Sequence, residues 1–364
     1  MRVVDVVVVG GGPAGAACAI TCAKHGQNTV LLEKGMPGRH KVCGGIMPTV
    51  CIGILKDDLG LKMPDEVMCT PHTLGLFYVP PSGRRSGAAM RNYRLLNVNR
   101  DRLDHWLLQI AEDSGVNVLY GTEFLDFQNE GTFRVRAGNK DRVTEVQARF
   151  LIGADGVFSK VRTQLHRGSK AQTMMIVQEY WQAKGEFEEH FYTFLKGEVT
   201  SAYGYLIPKD GRYLIGVGEA RGGHGRAAAC LRRFTEWLTD EFAFEPVSLE
   251  RKEAGAIPYN SLFGGDGNAI LVGDAAGFCN PFSGEGIRLG IESGIMAGEA
   301  IVQANESGKT LSSLYHQQIE GLSEFIRSTY EFSVALTDKE REEFVSTELQ
   351  RGSLAPYYSG PQKD

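Results

Sequence analysis

The chain opens on Val3–Val9, apolar apart from Asp5, and a second short apolar run covers Thr29–Glu33. Runs of this kind predict strands buried on both faces of a parallel sheet. Between them Pro13 suits a helix start and Gly26 a helix end, which predicts a helix over Ala14–His25 and a βαβ unit over the first 35 residues. In Asp101–Ser114, Leu103, Trp106, Leu107 and Ile110 follow the i, i+3, i+4, i+7 spacing of an amphipathic helix that Gly115 ends. Two-residue alternation marks Thr132–Ala137 and Arg142–Ala148 as strands joined at Gly138-Asn139. Residues 172–220 read as strands with a hairpin at Asp210-Gly211, Arg226–Phe242 as a helix and Ala269–Val272 as a strand. The chain from about 284 reads as mostly helical. Residues 36–100, with Pro80, Pro81, Gly83 and the basic pair Arg84/Arg85, read as loop-rich.

Composition narrows the class. The 364 residues include 45 glycines without a Gly-X-Y period, and 42% are apolar, which excludes collagen and low-complexity disorder. Net charge is −5 and no basic block stands out, so nucleic acid is not expected as a partner. Seven cysteines without a CxxC pair, and eight scattered histidines without HExxH, argue against a disulfide framework or a metal site and suit a reducing compartment. No apolar stretch approaches ~18 residues, so no transmembrane helix is expected. A cytoplasmic location follows, with peripheral contact at the inner membrane face left open.

Gly10-Gly11-Gly12-Pro13-Ala14-Gly15 fits G-x-G-x-x-G between the first strand and helix. Gly10 allows a tight turn, Gly12 lets backbone approach a pyrophosphate, and Gly15 lets helix and strand pack closely. Pro13 and Ala14 open a helix whose free N–H groups favour phosphate. Glu33 ends the second strand, where an acid suits a ribose diol and repels the extra phosphate of NADP; Lys34 beside it joins the candidate cofactor-binding set. The motif alone leaves FAD and NAD open.

Two distant segments discriminate. Leu151-Ile152-Gly153-Ala154-Asp155-Gly156 precedes Ser159 and Arg162, and Leu271-Val272-Gly273-Asp274 continues through Pro281 to Gly284-Glu285-Gly286-Ile287. With these the chain resembles the flavoprotein monooxygenase superfamily and its p-hydroxybenzoate-hydroxylase-like fold, which implies FAD. Ala154, Asp155 and Gly156 match the family's DG segment. Gly273 and Asp274 match its GD segment, whose Asp reaches the ribityl chain. Gly284, Gly286 and Ile287 open a helix whose N–H groups would face the flavin's pyrimidine edge, which becomes anionic on reduction. Arg100 matches the family's arginine for the pyrophosphate; a surface arginine at a helix start is the other reading.

Lys41-Val42-Cys43-Gly44-Gly45-Ile46-Met47-Pro48 and Tyr203-Gly204-Tyr205-Leu206-Ile207-Pro208-Lys209 resemble the geranylgeranyl reductase branch, with its Cys-Gly-Gly loop against the flavin. Arg91-Asn92-Tyr93, Asn99-Arg100 and Tyr357-Tyr358 resemble its CbrA-type bacterial members. The resemblance implies an α/β fold with an α+β insertion. A Rossmann-like FAD-binding domain would be discontinuous over 1–70, 95–170 and 259–310. A substrate-covering antiparallel-sheet domain would occupy 71–94 and 171–258, and a helical segment 311–364. The resemblance places Cys43, Gly44 and Gly45 against the flavin, where the Cys43 thiol would protonate a substrate carbon, tune the flavin or gate access. A small buried turn residue is the plainer reading. Tyr203 and Tyr205 would line the substrate face and donate a proton or stack, or else pack as core. Arg39, His40 and Lys41 would meet phosphates or stay solvated.

The implied activity is that of an FAD-dependent oxidoreductase, transferring hydride from reduced flavin to a carbon–carbon double bond of an isoprenoid or prenyl-type apolar substrate. Met174, Met175, Ile176, Phe191, Tyr192, Phe194 and Leu195 would wall an apolar chain or form the insertion's own core. The alternative is an FAD-dependent monooxygenase (hydroxylase) of an aromatic or polyketide-like small molecule, which the Cys-Gly-Gly loop argues against. A flavin-binding redox sensor is weaker still. With no second G-x-G-x-x-G, the electron donor stays open between NAD(P)H and a reduced protein carrier.

Overall fold

The computed structural model describes residues 2–139, 142–220 and 223–356; Tyr357-Tyr358 lie outside the described residues. β1 (Arg2–Val9), α1 (Pro13–Lys24) and β2 (Thr29–Leu32) form the βαβ unit, with β1 and β2 parallel. The following segment is not loop-rich. It holds β3 (Ile46–Pro48), α2 (Val50–Asp57), β4 (Met68–Val79), β5 (Ala88–Met90) and β6 (Leu95–Val98). Pro71 masks β4 in the sequence; it falls in the register shift between Met68 and Thr73, where its missing N–H costs no ladder bond to β6.

α3 (Arg100–Asp113) starts at Asn99, whose side chain accepts from the N–H groups of Asp101 and Arg102. Then come β7 (Asn117–Leu119), β8 (Glu123–Asn129), β9 (Phe133–Gly138), β10 (Val143–Gly153) and α4 (Lys160–Leu165). The strand-rich stretch comprises β11 (Thr173–Lys184), β12 (His190–Phe194), β13 (Gly204–Lys209) and β14 (Arg212–Glu219), then α5 (Gly223–Phe242) and β15 (Glu245–Pro258). The chain finishes with β16 (Ala269–Leu271), α6 (Ile287–Ser307), α7 (Leu311–Gln318), α8 (Glu320–Ala335), α9 (Asp338–Gln350) and β17 (Leu354–Pro356).

Two sheets result. The first has the order β7-β2-β1-β10-β9-β8, with β16 also on β10. β10 runs antiparallel to β9 over Val143–Ala148 and then parallel to β16 over Leu151–Gly153, with β1 along its other edge. The second has the order β15-β11-β14-β13-β12-β4-β5-β17; β3 and β6 attach beside β4. Its pairs are antiparallel except β12–β4. The fold is therefore a Rossmann-like α/β unit carrying an antiparallel-sheet insertion and a helical C-terminal part. Among the described residues no helix is long and apolar enough to cross a membrane.

Two packing features position the site. α6 lies on α1 across Gly290, Gly294 and Gly298: a Cβ on Gly294 would overlap the Ala14 carbonyl, and one on Gly298 would lie 2.6 Å from Thr21 Cβ. Close approach brings the N-terminal ends of both helices to one place. In the second sheet, alternation along β13 sends Leu206 into an aromatic core under α5 and Tyr205, Ile207 and Lys209 toward the loop at Cys43.

Candidate functional site

Where the parallel strands β1, β2, β10 and β16 end, a groove of about 430 Å³ opens. Strand ends of an open α/β sheet are where such folds hold ligands. Gly10, Gly12, Pro13, Ala14, Glu33, Lys34, Cys43, Arg100, Ala154, Asp155, Gly156, Gly273, Asp274, Gly284, Gly286 and Ile287 all line it. The fold thus brings together segments far apart in sequence. Gly15, Gly44, Gly45, Tyr203 and Tyr205 stand behind that surface.

The turn from β1 into α1 forms one wall. Gly10 has φ +107°, and a Cβ there would overlap the Ala154 carbonyl. A Cβ on Gly15 would overlap the Gly10 carbonyl, whereas one on Gly12 would meet nothing nearer than Arg39 Nη2 at 4.0 Å. Two glycines tighten the turn and the third bares backbone to the groove. No side chain caps α1, which leaves its first N–H groups for a ligand.

Glu33 is buried and accepts from Gly11 N–H (2.9 Å) and Gly35 N–H (2.6 Å). Arg39 Nε lies 3.0 Å from Glu33 Oε1, and Arg39 Nη2 3.3 Å from Asp104 Oδ2. Arg100 donates to both Asp104 oxygens, at 3.0 and 3.1 Å. Burial disfavours the Arg100 charge, but Asp104, with help from Cys43, raises the group above its ordinary value. Arg100 is thus a walled-in arginine, not a surface one.

The DG segment uses its acid locally. Asp155 accepts from Ser159 Oγ–H (2.5 Å), Lys160 N–H (2.7 Å) and Val161 N–H (3.2 Å), so the carboxylate caps α4 and backbone faces the groove. Buried Arg162 donates to the carbonyls of Val157 (2.7 Å) and Ala275 (3.0 Å), stapling the DG segment to the GD segment. Asp274 differs. None of the described residues donates a hydrogen bond to its carboxylate. Burial raises its proton affinity above the usual aspartate value, and Lys41 and Arg100 partly offset this. Gly286 N-caps α6 without a side-chain cap, and a Cβ there would lie 3.3 Å from Asp274 Oδ1.

The Cys43 loop forms the opposite wall. Gly45, at φ +69°, donates its N–H to Cys43 Sγ (3.3 Å), and a Cβ on it would overlap the Val98 carbonyl. Buried Lys209 Nζ donates to Gly44 O (2.8 Å), Asn97 Oδ1 (2.7 Å) and Val98 O (3.0 Å). Burial pulls Lys209 below the ordinary lysine value, and Cys69, Cys43 and Asp210 offset this only in part. Tyr203 Oη donates to Ser283 O (2.5 Å) and Tyr205 Oη to Gln178 Oε1 (2.7 Å), their rings 6.2 Å apart. Burial raises both hydroxyls above the ordinary tyrosine value.

Several groups escape the sequence reading. Gln178 Nε2 donates to Glu253 Oε2 (2.6 Å), and Glu253 Oε1 lies 2.8 Å from His40 Nε2, which continues the Tyr205 bond to the groove's rim. The sequence offers little signal for either: Gln178 is followed by Glu179 in β11, and Glu253 follows Glu250-Arg251-Lys252 in β15. The four-residue spacing of Gly290, Gly294 and Gly298 is a legible close-packing signal. Tyr192 and Phe194 pack in the core under α5 and Leu195 with Val345, whereas Ile176 and Phe191 join Tyr203 and Tyr205 on the other face. Among the described residues no group of three or more His, Cys, Asp or Glu could hold a metal.

A family model described as FAD binding domain matches residues 3–318. The chain is 30% identical over 314 residues to the geranylgeranyl diphosphate reductase of Rhodobacter capsulatus, covering 84% of this chain and 76% of that protein. It is 29% identical over 314 residues to the menaquinone reductase of Mycobacterium tuberculosis H37Rv, covering 82% and 76%. A geranylgeranyl bacteriochlorophyll reductase-like protein from Thermoplasma acidophilum has the same fold, with a TM-score of 0.81 and 22% identity over 95% of this chain and 91% of that one. The groove fits FAD chemically: bare N–H groups at two helix ends suit a diphosphate and an anionic ring edge, and the unpartnered Asp274 suits a hydroxyl chain.

Proposed function

Because the chain belongs to the geranylgeranyl reductase family of FAD-dependent oxidoreductases, we propose that it reduces carbon–carbon double bonds of an isoprenoid or prenyl-type apolar substrate. One arrangement carries the reading. The Cys43-Gly44-Gly45 loop, anchored by Lys209, stands between the groove and an apolar patch of Leu74, Tyr205, Ile207 and Leu214, edged by Ile46 and Phe191.

Bound FAD supplies the two-electron reducing chemistry. The chain's own groups bind, orient and protonate. N–H groups at Gly12 and Ala14 would hold the diphosphate, Glu33 a ribose hydroxyl, and Asp274 the ribityl chain. The amides of Gly286 and Ile287 at the uncapped start of α6 would favour negative charge on a ring edge held there. Lys34, Arg100 and residues 154–156 complete the cofactor's walls. Residues 71–94 and 171–258 cover the substrate, while the apolar patch excludes water. Cys43 is the proton donor at Sγ. The two tyrosine hydroxyls already donate to Ser283 and Gln178, so Tyr203 and Tyr205 act as stacking walls. NAD(P)H or a reduced protein carrier delivers electrons.

The test is anaerobic reduction of the flavin-loaded protein followed by mixing with a prenyl lipid. Flavin reoxidation and a product with two added hydrogens are expected. A hydroxylated aromatic product formed in air, with no reaction toward prenyl lipids, would overturn the reading in favour of a monooxygenase.

A further inference from the structure

A second cavity, of about 810 Å³, lies beyond the groove, between the end of the second sheet and helices α5, α8 and α9. The two share a wall: Ile257 lines the groove and Tyr259 the second cavity, while Ser201 lines the second cavity and Tyr203 contacts Gly284 of the groove. Three arginines converge on it. Arg233 donates to the carbonyls of Glu198 and Val199, and to Cys230 Sγ. Arg341 is 5% exposed; its Nη2 donates to Ser201 O (3.0 Å), but Nε and Nη1 have no hydrogen-bond acceptor, and Asp338 stands 3.6 Å from Nη1. Burial pulls Arg341 below the ordinary arginine value. Arg226, at the mouth, lies 3.7 Å from Glu219.

Three acids share the lining: Glu198 is exposed at its edge, while Glu219 and Asp338 are hydrogen-bonded within the wall. Glu219 accepts from Ser201 N–H (3.2 Å) and Oγ–H (2.6 Å), and Asp338 from Gly197 N–H (2.7 Å). Two guanidiniums that lean chiefly on neutral oxygens, one of them with two N–H groups unpaired, and a third at the mouth present a set of hydrogen-bond donors to a chamber large enough for an organic ligand.

We propose that this cavity is an anion subsite that holds the diphosphate of an organic ligand, through Arg226, Arg233 and Arg341. Two ligands carry that group: a prenyl diphosphate substrate and a nicotinamide dinucleotide donor. The first of these assignments rests on the functional reading above.

The test uses the FAD-loaded protein, whose groove phosphates are already satisfied, and inorganic pyrophosphate as probe by calorimetry. Saturable binding is expected, weakened about tenfold by Arg226→Gln and by Arg341→Gln, with flavin content unchanged. Arg226 is exposed, so its variant reports even if Arg341→Gln fails to fold. No pyrophosphate binding, or binding unchanged in Arg226→Gln, would overturn the subsite while leaving double-bond reduction standing. Conversely, retained pyrophosphate binding without reduction of any prenyl lipid removes the functional reading and keeps the subsite. A KM rise in Arg226→Gln for a prenyl diphosphate, but not for the prenyl alcohol, identifies the substrate as the source. A rise for NAD(P)H alone identifies the donor. Unchanged KM for both overturns the proposal.

Discussion

The two faces of the second sheet are made from the same strands and have opposite chemistry. Under α5, Phe194, Phe234, Trp237 and Phe242 pack edge to face with centroids 5.0 to 5.7 Å apart, and the surroundings are dry. On the face toward Cys43, apolar residues are interrupted by Lys209, Gln178 and Glu253, each buried and each committed to a named partner. One face is built for cohesion. The other accepts the cost of burying polar groups, which is repaid only where those groups hold something in place. One strand, β13, serves both, because successive residues point opposite ways.

The comparison can be broken in order of effect. Phe234→Ala, on the dry face, should lower unfolding free energy in urea by about 3–5 kcal/mol while flavin affinity of the folded protein stays unchanged. A matching loss of flavin affinity would mean that the faces are not independent. Cys43→Ala should leave the urea midpoint nearly fixed and slow prenyl reduction about a hundredfold, the usual scale for losing a placed proton donor. Unchanged turnover would remove the thiol from the chemistry. Tyr205→Phe strands the Gln178 carbonyl and should cost about 1–3 kcal/mol of stability, with turnover falling only a few fold. A loss as deep as that of Cys43→Ala would move proton donation to the tyrosine.

The smallest effect is a pH slope. Lys209 has a folded-state value below that of the unfolded chain, so between the two the unfolded state binds more protons and stability from this group rises with pH. Below the lowered value the lysine is charged in both states and contributes a constant penalty. Lys209→Met should flatten the alkaline part of the stability-versus-pH curve; an unaltered slope would show that the ammonium is not held as buried as the structure has it.

Legibility in the sequence follows the range of the interactions. The βαβ unit, α3 and the Asp210-Gly211 turn are local: periodicity, caps and positive φ (+51° and +73°) settle them. The convergence on one groove came through matched motifs, since no local pattern places Gly273 beside Ala14. Segment 36–100 was misread because β4 is broken by Pro71 and finds its partners in β12 and β6. β17 is three residues long and is a strand only because β5 offers it an edge. The Lys209 anchor was hidden for another reason. Its position in β13 predicts a face, but its acceptors are backbone carbonyls and one amide oxygen, which leave no charge pattern to find.

The glycine stripe on α6 acts as a gauge. Through it α1 and α6 touch backbone to backbone, so the distance between their N-terminal ends is fixed by contact rather than by cushioning side chains. Gly294 lies eight residues, about 12 Å along the helix, from the groove at Gly286. A single methyl there would act as a wedge, driven against the Ala14 carbonyl from behind and spreading two helix ends that face the ligand. The length of molecule the groove accepts is therefore set from the rear of its own wall, by the helix contact behind Ala14.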